Sequence, residues 1–199
     1  MPSSPRSRKS AACSPDPMTE LRFRNATLRD VDAIVELVHS AYRGDASRAG
    51  WTTEADLLDG QRTDADDVRS CIERPGSLIL LAIDGTTREP VACAHLAQQD
   101  GSGYFGMFSV RPTLQNAGVG KQLLARAERL AFNHWRLPAL RMTVIDVRDE
   151  LIAFYERRGY RRTGIHKPFP YGDERFGLPR RDDLRFEVLE KAAPSGTRA

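Results

Sequence analysis

Between Ser77 and Val110 the chain sets three apolar runs in a row, separated only by turn residues, and few folds can absorb that pattern. "SLILLAI" is closed by Asp84 and Gly85, "PVACAHLAQQ" starts at Pro90, and "GYFGMFSV" starts at Gly103 after "DGSG". Short apolar runs bounded by Gly, Asp and Pro read as strands. Strands joined by turns this tight pair antiparallel. Gly106, inside the third run, weakens a ladder and predicts a bulge or a close backbone approach there.

Helices flank this meander. "LRFRNAT" alternates as a first strand, and Thr27 with Asp30 forms a capping-box pattern before Val31, Ile34, Val35, Val38 and Tyr42 lay down a helical stripe. A short helix covers Asp64 to Glu73. After the meander, Val119, Leu123, Ala127, Leu130 and Ala131 share one face of a helix whose other face carries Lys121, Gln122, Arg126 and Arg129. "ALRMTVID" is a strand, "DELIAFYERRGY" a helix stopped at Gly159, and "GYRRTGIH" and "DLRFEVLEK" are closing strands. The predicted fold is α/β: a mixed, mostly antiparallel twisted sheet of about seven strands with helices on both faces.

The chain's 199 residues suit one domain, expected over 19–191, between disordered tails at 1–18 and 192–199. The first tail reads as solvated chain, or as chain ahead of a start at Met18, because its three early prolines spoil a targeting helix. No apolar run approaches the roughly 20 residues of a membrane span. A net charge of +3, spread along the chain, gives no basic face for nucleic acid. Cys13, Cys71 and Cys93 form no metal-ligand spacing and point to a reduced, cytoplasmic setting, with Cys93 a core thiol and no metal site.

One stretch carries chemistry. "VRPTLQNAGVGKQLL" leads from a strand through two glycines into an amphipathic helix, where unpaired N–H groups and a partial positive charge suit a phosphate. A nucleotide P-loop fails, since Gln115 stands where its first glycine belongs and Gln122 where its hydroxyl belongs. No GxGxxG is present either. What remains is QxxGxG, as Gln115, Gly118 and Gly120.

With these residues, and with the aromatic pair of "LIAFYERRGY" on a short helix ending at glycine, the chain over roughly 20–190 resembles the GNAT superfamily of acetyl-CoA-dependent N-acetyltransferases. The resemblance implies acetyl-CoA as cosubstrate and transfer of its acetyl group to a primary amine by direct attack in a ternary complex. It assigns main-chain cofactor contacts to Phe108, Ser109 and Val110. The amides from Gln115 through Asn116, Ala117, Gly118, Val119 and Gly120 to Lys121 converge on the pyrophosphate, the glycines serving as clearance. It also makes Tyr155 the acid that protonates the departing sulfur; the other reading of Tyr155 is an ordinary aromatic on a buried helix face.

The strand "YFGMFSV" lacks the carboxylate that some relatives use as a base, which leaves His95 and Glu54 as candidates, or a water relay. Arg148 stands where the family frequently has asparagine. The two long segments 42–60 and 168–183 should bound a small-molecule or peptide amine, with Trp51, Glu54, Tyr171, Asp173 and Glu174 toward a cation and Arg175, Arg180 and Arg181 toward a carboxylate; surface ion pairing is the alternative. The protein is expected to be a monomer or homodimer. Two other classes stay open: a catalytically silent acyl-CoA-binding regulator, and an interaction module with no affinity for coenzyme A.

Overall fold

A computed structural model describes residues 20–174 and 177–195. The expected N-terminal tail therefore lies outside the described residues, as do Arg175 and the end of the C-terminal tail. The main sheet has seven strands: β1 (Leu21–Asn25), β3 (Ser77–Asp84), β4 (Pro90–Gln99), β5 (Ser102–Val110), β6 (Ala139–Ile145), β7 (Arg161–Pro168) and β9 (Arg185–Ala192). Their spatial order is β1-β3-β4-β5-β6-β9-β7. Every pairing is antiparallel except β5 with β6, which the crossover helix α4 (Val119–Arg129) connects. The last two strands are swapped in space: β9 inserts between β6 and β7, so the chain's end closes the sheet interior. Ala193 N–H then donates to the Pro138 carbonyl, just past the expected end of the domain.

Alternation along β3 sorts the core onto two faces. Leu80 and Ala82 face α4 and α5 (Asp149–Glu156), while Ile79, Leu81 and Ile83 face α1 (Val31–Tyr42) and α3 (Ala65–Glu73). The apolar stripe of α1 is its buried face, with Ile34 and Val38 fully enclosed. The capping box forms as the sequence indicates, Asp30 accepting from the Thr27 N–H at 2.8 Å.

The long connections hold more structure than expected. Residues 44–47 form a single helical turn (α2), and a two-stranded ribbon pairs β2 (Leu58–Asp59) with β8 (Leu178–Pro179). The ribbon ties the two long segments together. Broken periodicity hides such a ribbon from sequence reading, since each strand is two residues long and has no pattern to show.

The sheet opens at its centre. β5 and β6 pair only at Gly103 with Leu140 and Tyr104 with Arg141 before diverging. The register between β4 and β5 shifts at the same level, and Met107 takes φ +47°, which marks a bulge. Gly106 is the close approach there: a Cβ at this position would fall on the Tyr104 hydroxyl, folded back beside it. Bulge and splay leave a cleft through the middle of the domain.

Candidate active site

The cleft holds two cavities that meet at Tyr42, Phe108 and Leu151. The wider, of about 700 Å³, runs from the start of α4 along α5; the narrower, of about 180 Å³, reaches between β5 and β6.

In the wide cavity the backbone dominates. The N–H groups of Asn116, Gly118, Val119, Gly120 and Lys121 have no acceptor among the described residues, since the first helical bond is Gln122 N–H to the Gly118 carbonyl at 3.1 Å. Gly118 has φ +81° and open space where a Cβ would stand, so it supplies both a left-handed conformation and clearance. Gly120 acts differently. Its missing Cβ lets α4 lie against β5, where it would come within 3.1 Å of Phe108 and 3.3 Å of Val110. Lys121, Arg157 and Arg158 supply three positive charges against Glu150. Trp51 and Phe154 form an aromatic wall with ring centroids 5.4 Å apart, and the Arg158 guanidinium lies 3.4 Å from the Phe154 ring centroid.

Of the residues expected around the cofactor, Phe108, Val110, Gln115, Asn116, Gly118, Gly120 and Lys121 line this cavity, whereas Ser109 and Val119 are buried beside it and Ala117 packs on the core. Four of the expected main-chain groups already have partners: the Phe108 carbonyl accepts from the Tyr42 hydroxyl, the Val110 carbonyl accepts from Gln115 Nε2 at 3.1 Å, and the N–H groups of Gln115 and Ala117 donate to the Pro112 and Leu114 carbonyls, each at 3.3 Å. Gln115 is wholly engaged in holding chain. Its Oε1 accepts from the Trp51 N–H at 2.8 Å and its Nε2 donates to Thr52 Oγ1 at 2.8 Å, stapling the long 43–60 segment to the phosphate-type loop.

Side chains dominate the narrow cavity. Glu54 is buried at its wall and meets three guanidiniums: Arg43 Nη1 and Arg148 Nη1 each at 2.7 Å, and Arg62 Nε at 3.7 Å. Burial pushes the Glu54 carboxyl up, but Arg148, Arg62 and Arg43 together hold it below the usual range. A carboxylate so neutralised is a poor proton acceptor. It is also no anchor for a cationic amine, against the expectation for Glu54. Arg148 further donates to the Thr52 carbonyl at 2.6 Å, so its departure from asparagine has a physical role: it ties the start of α5 to the Thr52–Glu54 stretch.

Tyr155, on α5, lines the narrow cavity beside the junction, 6.4 Å from Phe108 and 5.3 Å from Phe154 between ring centroids. Its hydroxyl has no hydrogen-bond partner among the described residues. Burial, with a contribution from Tyr42, raises its pKa far above the ordinary phenol, so it stays protonated. Tyr104 also lines this cavity.

Other candidates fall elsewhere. His95 lines neither cavity; it is buried on β4, with Nε2 2.8 Å from Ser77 Oγ, and burial lowers its pKa to about 4. Trp51 belongs to the wide cavity rather than to an acceptor pocket. Tyr171 is exposed, its hydroxyl accepting from the Leu184 N–H at 2.6 Å, and it braces the 169–184 segment. Arg180 pairs with Asp59 at 2.6 Å and Arg181 with Asp183 at 2.5 Å, both on the surface. Sequence reasoning missed Tyr42 and Arg62 as cavity residues. Arg62 follows Gly60 in a segment with no periodicity, so nothing local announces where it points.

A family model described as the acetyltransferase (GNAT) family matches residues 32–160, covering nearly all of α1 through the end of α5, with the wide cavity and most of the narrow one. The chain belongs to the GNAT acetyltransferase family. Solved structures share the GNAT fold at low identity. The ribosomal-protein-S18-alanine N-acetyltransferase from Escherichia coli is 14% identical, covering 90% of this chain and 99% of that one with a TM-score of 0.65. A mutant spermidine N-acetyltransferase SpeG from Vibrio cholerae is 13% identical, covering 86% and 93% with a TM-score of 0.62. A candidate streptothricin acetyltransferase from Bacillus anthracis, in complex with acetyl coenzyme A, is 18% identical over 63% and 67% with a TM-score of 0.51. No curated protein matches the chain significantly. Among the described residues, no helix is long and apolar enough to cross a membrane, and no group of side chains could hold a metal ion.

Proposed function

We propose that this GNAT domain is an acetyl-CoA-dependent N-acetyltransferase that joins cosubstrate and amine in one ternary complex. The observation that carries the reading is a wide cavity lined by Asn116, Gly118, Gly120 and Lys121, whose amides are unpaired among the described residues, and by three cationic side chains, and opening directly onto a narrow one. The first suits a pyrophosphate and a long amide-bearing arm; the second suits the reacting amine. Family members of similar fold include ones titled for spermidine and for ribosomal-protein alanine, both amine acceptors.

Acetyl-CoA supplies an activated acyl group as a thioester. The amides at the start of α4, with Lys121, Arg157 and Arg158, hold its phosphates. Where β5 leaves β6, main-chain N–H groups are the donors at hand for the thioester carbonyl. Arg62 and Arg148 raise the positive potential around the amine, which lowers its pKa and favours the neutral nucleophile without a strong base. As the N–C bond forms and the C–S bond breaks, Tyr155 donates its proton to the departing sulfur and recovers one from the acylated nitrogen through water, so the net reaction moves one proton from nitrogen to sulfur. Burial, with Tyr42, keeps the phenol protonated, so its proton is in place when the C–S bond breaks.

Calorimetric titration with acetyl-CoA tests the binding half, and release of free thiol with an amine tests the chemistry. One-to-one binding with thiol release supports the proposal. Binding without release from any amine would leave a silent acyl-CoA-binding domain, and no binding at all would remove both.

A further inference from the structure

We infer that the acceptor is a small amine carrying a carboxylate, of amino-acid type, and that the Arg62 guanidinium, backed by Arg148, reads that carboxylate at the narrow cavity. The inference rests on the acetyltransferase reading above.

The charge count comes first. Among the described residues three charged side chains line this cavity, Glu54, Arg62 and Arg148, which leaves one net positive charge, and no other acidic group lines it; the carboxylate is also covered from behind by Arg43 at 2.7 Å. A polyamine entering here would bring cations to a site with no free anion, an arrangement that costs affinity wherever water is excluded.

Donor geometry adds to this. Arg148 uses Nη1 on Glu54 and Nη2 on the Thr52 carbonyl, so it is fixed in place. Arg62 touches Glu54 only through Nε, at 3.7 Å, and its two terminal nitrogens make no hydrogen bond among the described residues. The Tyr42 ring supports it, with the Arg62 guanidinium carbon 5.5 Å from the ring centroid and that of Arg148 at 5.8 Å on the same ring. A guanidinium with its fork unengaged, propped on an aromatic ring inside a cavity, matches the two oxygens of a carboxylate.

Size narrows the class. About 180 Å³ has room for roughly six waters, enough for a free amino acid. Phe169, Phe186, Met142 and Ile145 complete an apolar wall for its side chain.

The test measures thiol release with the twenty L-amino acids and spermidine, then compares the best amino acid with its carboxamide and its decarboxylated amine. The expected result is a kcat/KM for the acid about 10- to 100-fold above both analogues. Arg62→Met should remove that gap by raising KM for the acid, with acetyl-CoA affinity retained, and Arg62→Lys should restore part of it. Equal use of acid and carboxamide, or a preference for spermidine, would overturn the inference while leaving acetyl transfer intact. Calorimetry of the same amino acid and carboxamide against the coenzyme A complex separates the two proposals. Binding of the acid alone without turnover would keep the carboxylate site and remove the reaction; binding of neither, with no turnover, would remove both.

Discussion

The two cavities sit side by side yet are built by opposite means. In the wide one, the unpaired polar groups come largely from one short stretch, Asn116 to Lys121, as backbone amides that any sequence would present if the turn forms. In the narrow one, Tyr42 comes from α1, Glu54 from the long 43–60 segment, Arg62 from the turn before α3, Tyr104 from β5, and Arg148 and Tyr155 from α5 and its approach. Backbone chemistry tolerates drift in sequence, whereas a cavity assembled from side chains can be retuned by single substitutions. The lesson is that the two cavities are built separately and, among the described residues, share only Tyr42, Phe108 and Leu151.

The most severe break should come from Tyr155→Phe, which keeps the ring and removes the hydroxyl at the junction. The maximal rate is expected to fall by about 10²- to 10⁴-fold, with acetyl-CoA affinity nearly unchanged because the amides that hold it lie on α4. Since burial raises this phenol well above its ordinary value, the wild-type rate should show no alkaline limb from Tyr155 below about pH 10. A normal rate in the mutant would return the residue to a packing role.

Glu54→Gln tests whether the narrow cavity depends on its charge network. Removing the carboxylate leaves Arg43 and Arg148 facing each other without compensation, and loss of one partner in a buried ion cluster costs about 3–5 kcal/mol. Chemical denaturation should register that loss. Stability close to wild type would show that the guanidiniums are solvated rather than held by Glu54.

His95 lies outside both cavities and should separate stability from function. Its pKa falls from about 6.5 unfolded to about 4 folded, chiefly by burial, so the folded state binds fewer protons. Stability from the neutral imidazole is therefore full above pH 6.5 and lost as pH falls toward 4, up to about 3 kcal/mol. His95→Asn should flatten that part of the stability profile and leave turnover at neutral pH intact. An unchanged acid limb in the variant would show that other groups carry the acid sensitivity.

Gly118→Val should give the smallest effect on folding, about 1–2 kcal/mol for a branched residue in the left-handed region. Acetyl-CoA affinity should fall further than this strain accounts for, since the added side chain enters the wide cavity. A stability loss with affinity intact would limit Gly118 to the turn.

How far the chain could be read follows from the range of the interactions involved. Periodicity gave the seven strands and their order along the chain, because burial of alternate residues on strands and of every third or fourth on helices is written locally. The QxxGxG stretch announced the wide cavity for the same reason: a strand, a glycine-relieved turn and a helix start are neighbours in sequence. Gly106 marked the bulge from its lack of a side chain alone.

Tertiary structure decided the rest. The insertion of β9 between β6 and β7, the β2–β8 ribbon, and the meeting of Arg148 with Glu54 across 94 positions involve contacts between segments whose local patterns carry no record of each other. Gln115 was expected to offer its amide to the cofactor, but that N–H donates to the Pro112 carbonyl and its side chain to Thr52, with its oxygen held by Trp51; Glu54 looked like a free carboxylate and proved to be neutralised by three arginines. A side chain's charge is fixed by its type, but its potential and pKa are fixed by what the fold brings within a few ångströms, and that is a property of three dimensions.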